Sequence, residues 1–231
     1  MISSYHLKAS SFSLVKFFNG LETRELIPSR KALKEDLQKN LKILKLEGLD
    51  NFEDLLKALK TKTKIEEFSK KSGLSSEYLT LLRREVASYF PNPAQLTKFS
   101  GIDSTTIKKL ANSGIKNSKN IFEKLNSNQN INEQSKKYDI PVAVLTEFIG
   151  LCDLSRLYGI GPVFAKILFD VGISSVVQFK SYSSDEIVDI YEKETGKKAD
   201  FSAKDIQFSL DIADGLNLKI TNWFKRKLLI K

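Results

Sequence analysis

The residues best suited to chemistry are Gly159, Ile160 and Gly161, and the chemistry is capture of an oxyanion by backbone amides. They stand between two apolar helical stripes, within LSRLYGIGPVFAKILFDVGI at residues 154–173. Both glycines are free to take φ > 0 and to let another backbone approach, and Pro162 presets a first helical turn with φ near about −65°. The first N–H groups of such a helix lack intrahelical partners and carry the positive end of its dipole, so they attract anions. Val163 falls in that first turn, and Lys166 is the cation close to it. Two other readings of the corner stay open: a tight interhelical turn packed on its neighbour, and a contact for another protein.

A second candidate is the end of the chain, TNWFKRKLLIK at residues 221–231, which joins the only tryptophan to Lys225, Arg226 and Lys227. Such a segment suits a phosphate backbone, a partner groove or an anionic membrane surface, and it can equally pack back on its own chain. Placed beside Gly161, its cations would supply the positive charge that the corner lacks.

Other chemistries find little support. One cysteine, Cys152, leaves no intrachain disulfide, and one histidine, His6, leaves no zinc finger or His-based metal site. His6 lies near a terminus that is expected to fray, which argues against a Ser-His-Asp triad. No phosphate-binding G-x-x-x-x-G-K-[ST] loop occurs, and Glu66-Glu67 and Asp185-Glu186 fall on polar faces of amphipathic stretches. The chain is therefore expected to be neither an enzyme nor a cofactor protein. It lacks an apolar run of about 18 residues, so no membrane span is expected and the cytoplasm is the expected location.

The elements that must position the corner are all helical. Apolar residues recur at three-to-four-residue spacing and no segment alternates as a strand. The sequence also repeats itself: LTKFSGIDSTTIKKLANSGI at 96–115 aligns without a gap to 154–173, at an offset of 58 residues. A third, degenerate copy ends in LKILKLEGL at 41–49, with Ile27-Pro28-Ser29-Arg30 in the place of the glycines. After each closing glycine come further helices, expected over 51–59, 62–72 and 75–90, then 118–125, 130–138 and 141–151, then a short one after Ser174, 184–194 and 202–216. The Pro91-Asn92-Pro93 break divides the chain. The expected organisation is an N-terminal helical arm with repeat one over 1–93, repeat two over 94–153, repeat three over 154–217, and a basic-aromatic tail over 218–231. Leu14, Phe17, Phe18 and Leu21 of the arm share a face and are expected to cap the first repeat's core.

The 154–173 string resembles the helix-hairpin-helix motif, in which hairpin amides hold a nucleic-acid phosphate. With three Gly-Ile-type repeats and the Gly-Ile-Gly-Pro-Val-Phe-Ala hairpin, residues 10–216 look like an uncharacterised domain-of-unknown-function family of tandem helix-hairpin-helix proteins, similar to modules of topoisomerases and repair proteins. The resemblance implies an all-α fold of three tandem helix-hairpin-helix-like repeats, each followed by two to three further helices. It suggests contact with DNA, duplex or branched, and implies no reaction.

Charge gives a mixed signal. The net charge of +9 and pI of about 9.4 favour a polyanionic partner. Yet Lys and Arg outnumber Asp and Glu by 17 to 12 over residues 1–93, by 8 to 5 over 94–150 and by only 12 to 11 over 151–231. The best hairpin lies in the least basic third. It carries Val163 and Phe164 where DNA-gripping modules usually carry Lys or Arg, and Asp103 replaces the second glycine in repeat two. The expected function is non-catalytic, sequence-independent DNA binding through Gly159, Ile160, Gly161, Val163, Lys166, Lys225, Arg226 and Lys227. The alternative is a protein-interaction scaffold whose repeats have lost DNA binding.

Overall fold

Small polar residues ahead of apolar stripes start most of the helices here, because their side chains accept the unpaired N–H groups of the first turn. The computed structural model describes residues 5–26, 28–125 and 131–216, and it contains α-helices and short 3₁₀ turns but no strand among them. Asn51, Thr61, Ser75, Asp103, Ser175, Ser183 and Ser202 each cap a helix through the side chain. The chain divides into two units: residues 7–90, and residue 91 onward together with Tyr5 and His6.

The first unit holds α1 (Leu14–Thr23), a 3₁₀ stretch at Pro28–Lys34, α2 (Leu37–Leu46), α3 (Phe52–Ala58), α4 (Lys62–Ser72) and α5 (Ser76–Ser88). The face of α1 read from the sequence is the one that is buried: Leu14, Phe17, Phe18 and Leu21. Phe52 is fully buried and collects Phe12, Phe17 and Tyr89 at ring separations of 5.0, 5.3 and 4.9 Å. Phe12 stacks on it while Phe17 and Tyr89 meet it edge-on, and aromatic pairs of both kinds at such distances add to the area term. Buried Glu85 is compensated by Arg24 and, at 3.9 Å, by Arg30.

The second unit holds α6 (Ser104–Asn112), α7 (Ser118–Leu125), α8 (Ile131–Tyr138), α9 (Val142–Leu154), α10 (Pro162–Asp170), α11 (Val176–Phe179), α12 (Ser184–Thr195) and α13 (Ala203–Ala213). Helix α9 is its centre and packs on α7, α8, α10 and α11. It is apolar nearly all round, as a helix covered on every side must be. Gly150 permits that covering: a Cβ there would stand 2.7 Å from both the Phe169 ring and the Ser174 carbonyl oxygen. Tyr5 and His6 do not fray. The Tyr5 ring is buried and its hydroxyl shares a hydrogen bond of 2.6 Å with Ser118 Oγ.

The ends of α2, α6 and α10 close in one way. Gly48, Gly114 and Gly172 take φ of +79°, +72° and +93°, and the next residue donates back five residues, Leu49 to Leu44, Ile115 to Leu110 and Ile173 to Leu168. These are helix stops that satisfy the last carbonyls, with an apolar residue turned inward after the glycine. Two residues after each glycine a backbone N–H is then taken by a side chain four residues on, Asp50 by Asp54, Lys116 by Asn120 and Ser174 by Gln178. The start of α2 differs from the sequence reading. The left-handed residue there is Asp36, at φ +50°, and Pro28, Ser29 and Arg30 lie in the Pro28–Lys34 turn that precedes it rather than in a left-handed bend; Ile27 lies outside the described residues.

Candidate functional site

The connection from α9 to α10, residues 155–161, begins with a buried ion pair. Arg156 is 1% exposed, donates Nη1 to Asp153 Oδ1 at 2.6 Å and Nε to the Tyr5 carbonyl at 2.8 Å, and lies 4.0 Å from the Phe122 ring centroid. The second Asp153 oxygen accepts the Val176 N–H at 2.9 Å. At the matching place 58 residues earlier, the Ser118 N–H is accepted by the Ala94 backbone carbonyl. A side chain thus replaces a backbone acceptor and brings a guanidinium with it. The sequence reading passed over both residues, since a lone Arg in an amphipathic stretch looks like a solvated side chain.

The bend itself is held by Ile160, 4% exposed, whose N–H reaches the Leu157 carbonyl at 3.2 Å. Gly159 takes φ +73° and is exposed; Gly161 is exposed but extended, at φ −80° and ψ 175°. Only the first glycine therefore uses the left-handed region, contrary to the expectation for the pair. Open space surrounds both: a side chain at either position would meet nothing within 4 Å beyond its chain neighbours. Gly161 is the N-cap of α10 and has no side chain to offer, Pro162 has no N–H, and the Val163 and Phe164 amides have no intrahelical acceptor. The corner is open to solvent and its amides are uncapped.

The preceding bend shows the contrast. Gly101, at φ +84°, matches Gly159, and Asp103, at φ −68° and ψ 151°, matches Gly161. Asp103 Oδ1 accepts the Thr106 N–H at 2.8 Å and Oδ2 the Thr106 hydroxyl at 2.6 Å. The Thr106 hydroxyl and N–H hold the Asp103 carboxyl below its ordinary range. An anion is already built into that bend, as the sequence predicts.

The side chains around the third bend divide. Val163 is 69% exposed. Phe164 turns inward to Tyr191 and Phe201, each at 5.2 Å between ring centroids. Tyr158 packs edge-on to Phe208 at 4.9 Å, and its carbonyl accepts the Ser209 hydroxyl at 2.8 Å. Lys166 is engaged elsewhere. Its stem crosses Gly101, and its ammonium pairs with Asp170 and, at 3.5 Å, with Glu147. Asp170 foremost, then Glu147, raises its pKa. Six residues before each closing glycine stands a lysine, Lys42, Lys108 and Lys166, and only Lys166 is in an ion pair. Lys225, Arg226 and Lys227 lie outside the described residues.

Residues 100–200 match the family described as Domain of unknown function (DUF4332). The match agrees with the resemblance to an uncharacterised domain-of-unknown-function family, and it takes in both glycine bends and ends within the loop after α12. Neither a curated protein nor a solved structure matches the chain. Among the described residues no group of His, Cys, Asp and Glu is placed to hold a metal ion, and no helix is long and apolar enough to cross a membrane.

Proposed function

We propose that this chain is a tandem array of three helix-hairpin-helix repeats that binds the phosphodiester backbone of DNA, without sequence preference and without catalysis, through its third hairpin. The observation that carries the reading is the uncapped start of α10: exposed glycines, free Val163 and Phe164 amides, and no carboxylate at the position that Asp103 fills in the preceding bend. The matching closures of α2, α6 and α10 support the repeat count. The net charge of +9 supports a polyanionic partner.

The test is Gly161→Asp, read by anisotropy of a labelled duplex at about 50 and 200 mM salt. The backbone at 161 already has the dihedrals of an Asp N-cap, so the variant folds and places a carboxylate against the phosphate. Wild-type affinity that falls linearly in log–log with salt, and is lost in the variant, supports the reading. Equal binding by the two proteins overturns it. A second reading, a scaffold for another protein, draws on the exposure of Val163. A partner retained after nuclease treatment and released by Val163→Glu would favour that one.

A further inference from the structure

Tyr5 and His6 belong to the second unit, yet residues 7–90, which form the first unit, separate them in sequence from the rest of it. They lie in no helix, and the bonds from Tyr5 reach across 113 and 151 positions, to Ser118 and Arg156. A segment fastened in this way can open by itself, without unfolding the helices it lies on. We infer that Tyr5 and His6 form a proton-released strap: docked, they close over Cys152 and Arg156, and uptake of a proton by His6 opens them while the helices stay folded.

Tyr5 makes the closure. Its ring is fully buried and stands edge-on to Phe122 of α7 at 5.6 Å, its hydroxyl is bonded to Ser118 Oγ, and its carbonyl accepts Arg156 Nε at 2.8 Å. Burial raises the Tyr5 pKa, and the neighbouring Cys152 thiol adds to the rise. Cys152, near the end of α9, is 1% exposed. The strap therefore covers a buried thiol and supplies one acceptor to a buried guanidinium.

His6 makes the closure sensitive to protons. Its ring meets the Tyr5 ring edge-on at 4.8 Å between centroids and is only partly buried, so a proton can reach it. Lys119 and Glu123 of α7 and Arg156 of the α9–α10 connection act on it, two cations against one acid. Asp153 is turned away, to Arg156 and the Val176 N–H. Burial, then Lys119 and Arg156, takes the docked imidazole from 6.5 down to about 4. The released arm regains the ordinary value and binds the proton first, so opening is favoured progressively as pH falls from about 6.5 to about 4.

The strap needs no ligand at the third bend, and Cys152, the only cysteine, reports its opening. The rate at which Cys152 reacts with a dipyridyl disulfide, a reagent that still takes thiols in acid, is divided by the rate for the urea-unfolded chain at the same pH. Between about pH 7 and pH 4.5 this ratio should rise at least about tenfold in the wild type. Its dependence on added urea should be shallower than that of global unfolding, since a short strap exposes little surface. The rise should be much smaller in His6→Phe, and Tyr5→Ala should react faster than wild type at about pH 7. A ratio that is flat with pH, or that rises equally in His6→Phe, overturns the proton release. A urea dependence as steep as global unfolding, or a Tyr5→Ala rate equal to wild type, overturns the strap itself.

Discussion

Asp153 joins Arg156 and the Val176 N–H through its two oxygens, at 2.6 and 2.9 Å, so one buried carboxylate ties the end of α9 to the turn that follows it and to the start of α11. A buried pair is weak evidence for net stability, but removing one partner strands the other. Asp153→Ala should therefore cost about 3–5 kcal/mol, and Asp153→Leu/Arg156→Met together much less than the sum of the single changes. Urea denaturation of the four proteins measures this. Additive losses would show that the two side chains act separately.

Gly161→Asp should raise stability and, on the proposed function, abolish phosphate binding. The variant copies Asp103, which caps α6, and an Asp at such a position contributes about 1 kcal/mol to a helix. A higher thermal midpoint is the expected outcome. A lower one would mean that residue 161 cannot hold the N-cap geometry with a side chain.

Gly150→Ala should destabilise in spite of the better helix propensity of alanine. The added methyl would sit 2.7 Å from the Phe169 ring and from the Ser174 carbonyl, so α9 must shift away from the α10–α11 connection. Overpacking of this kind costs about 1–3 kcal/mol. Calorimetry on the purified variant decides, and a neutral result would show that the α9 contact yields easily.

Stability should fall on acidification before the carboxylates titrate. Burial, with smaller contributions from Lys119 and Arg156, lowers the His6 pKa from 6.5 to about 4. The unfolded chain takes up the proton first, so the contribution of neutral His6 is complete above about pH 6.5 and is lost as pH falls toward about 4. Allowing for partial exposure, the loss is on the order of 1–2 kcal/mol. Urea midpoints at pH 7, 5.5 and 4.5 should drop for wild type and stay flatter for His6→Phe over that window.

Local signals were readable in the sequence wherever a cap and a stop lie close together. Helix α4 occupies the expected 62–72, because Thr61 caps one end and Gly73, at φ +75°, ends the other. Helix α9 runs three residues past the expected 151, to Leu154, because burial on all sides continues it where no Gly or Pro intervenes. What periodicity does not carry is long-range pairing. Arg156 meets the Tyr5 carbonyl across 151 residues, and nothing local marks either as buried. The third bend was found from its glycines, but the conformation of Gly161, the acids around Lys166 and the approach of the loop after α12 depend on tertiary contacts that spacing alone does not reveal.

At residue 161 the main chain is already shaped for an aspartate, and glycine and aspartate codons differ by a single base. If the corner takes the phosphate proposed for it, one mutation switches that recognition off and leaves the scaffold intact or firmer, and the reverse step restores it.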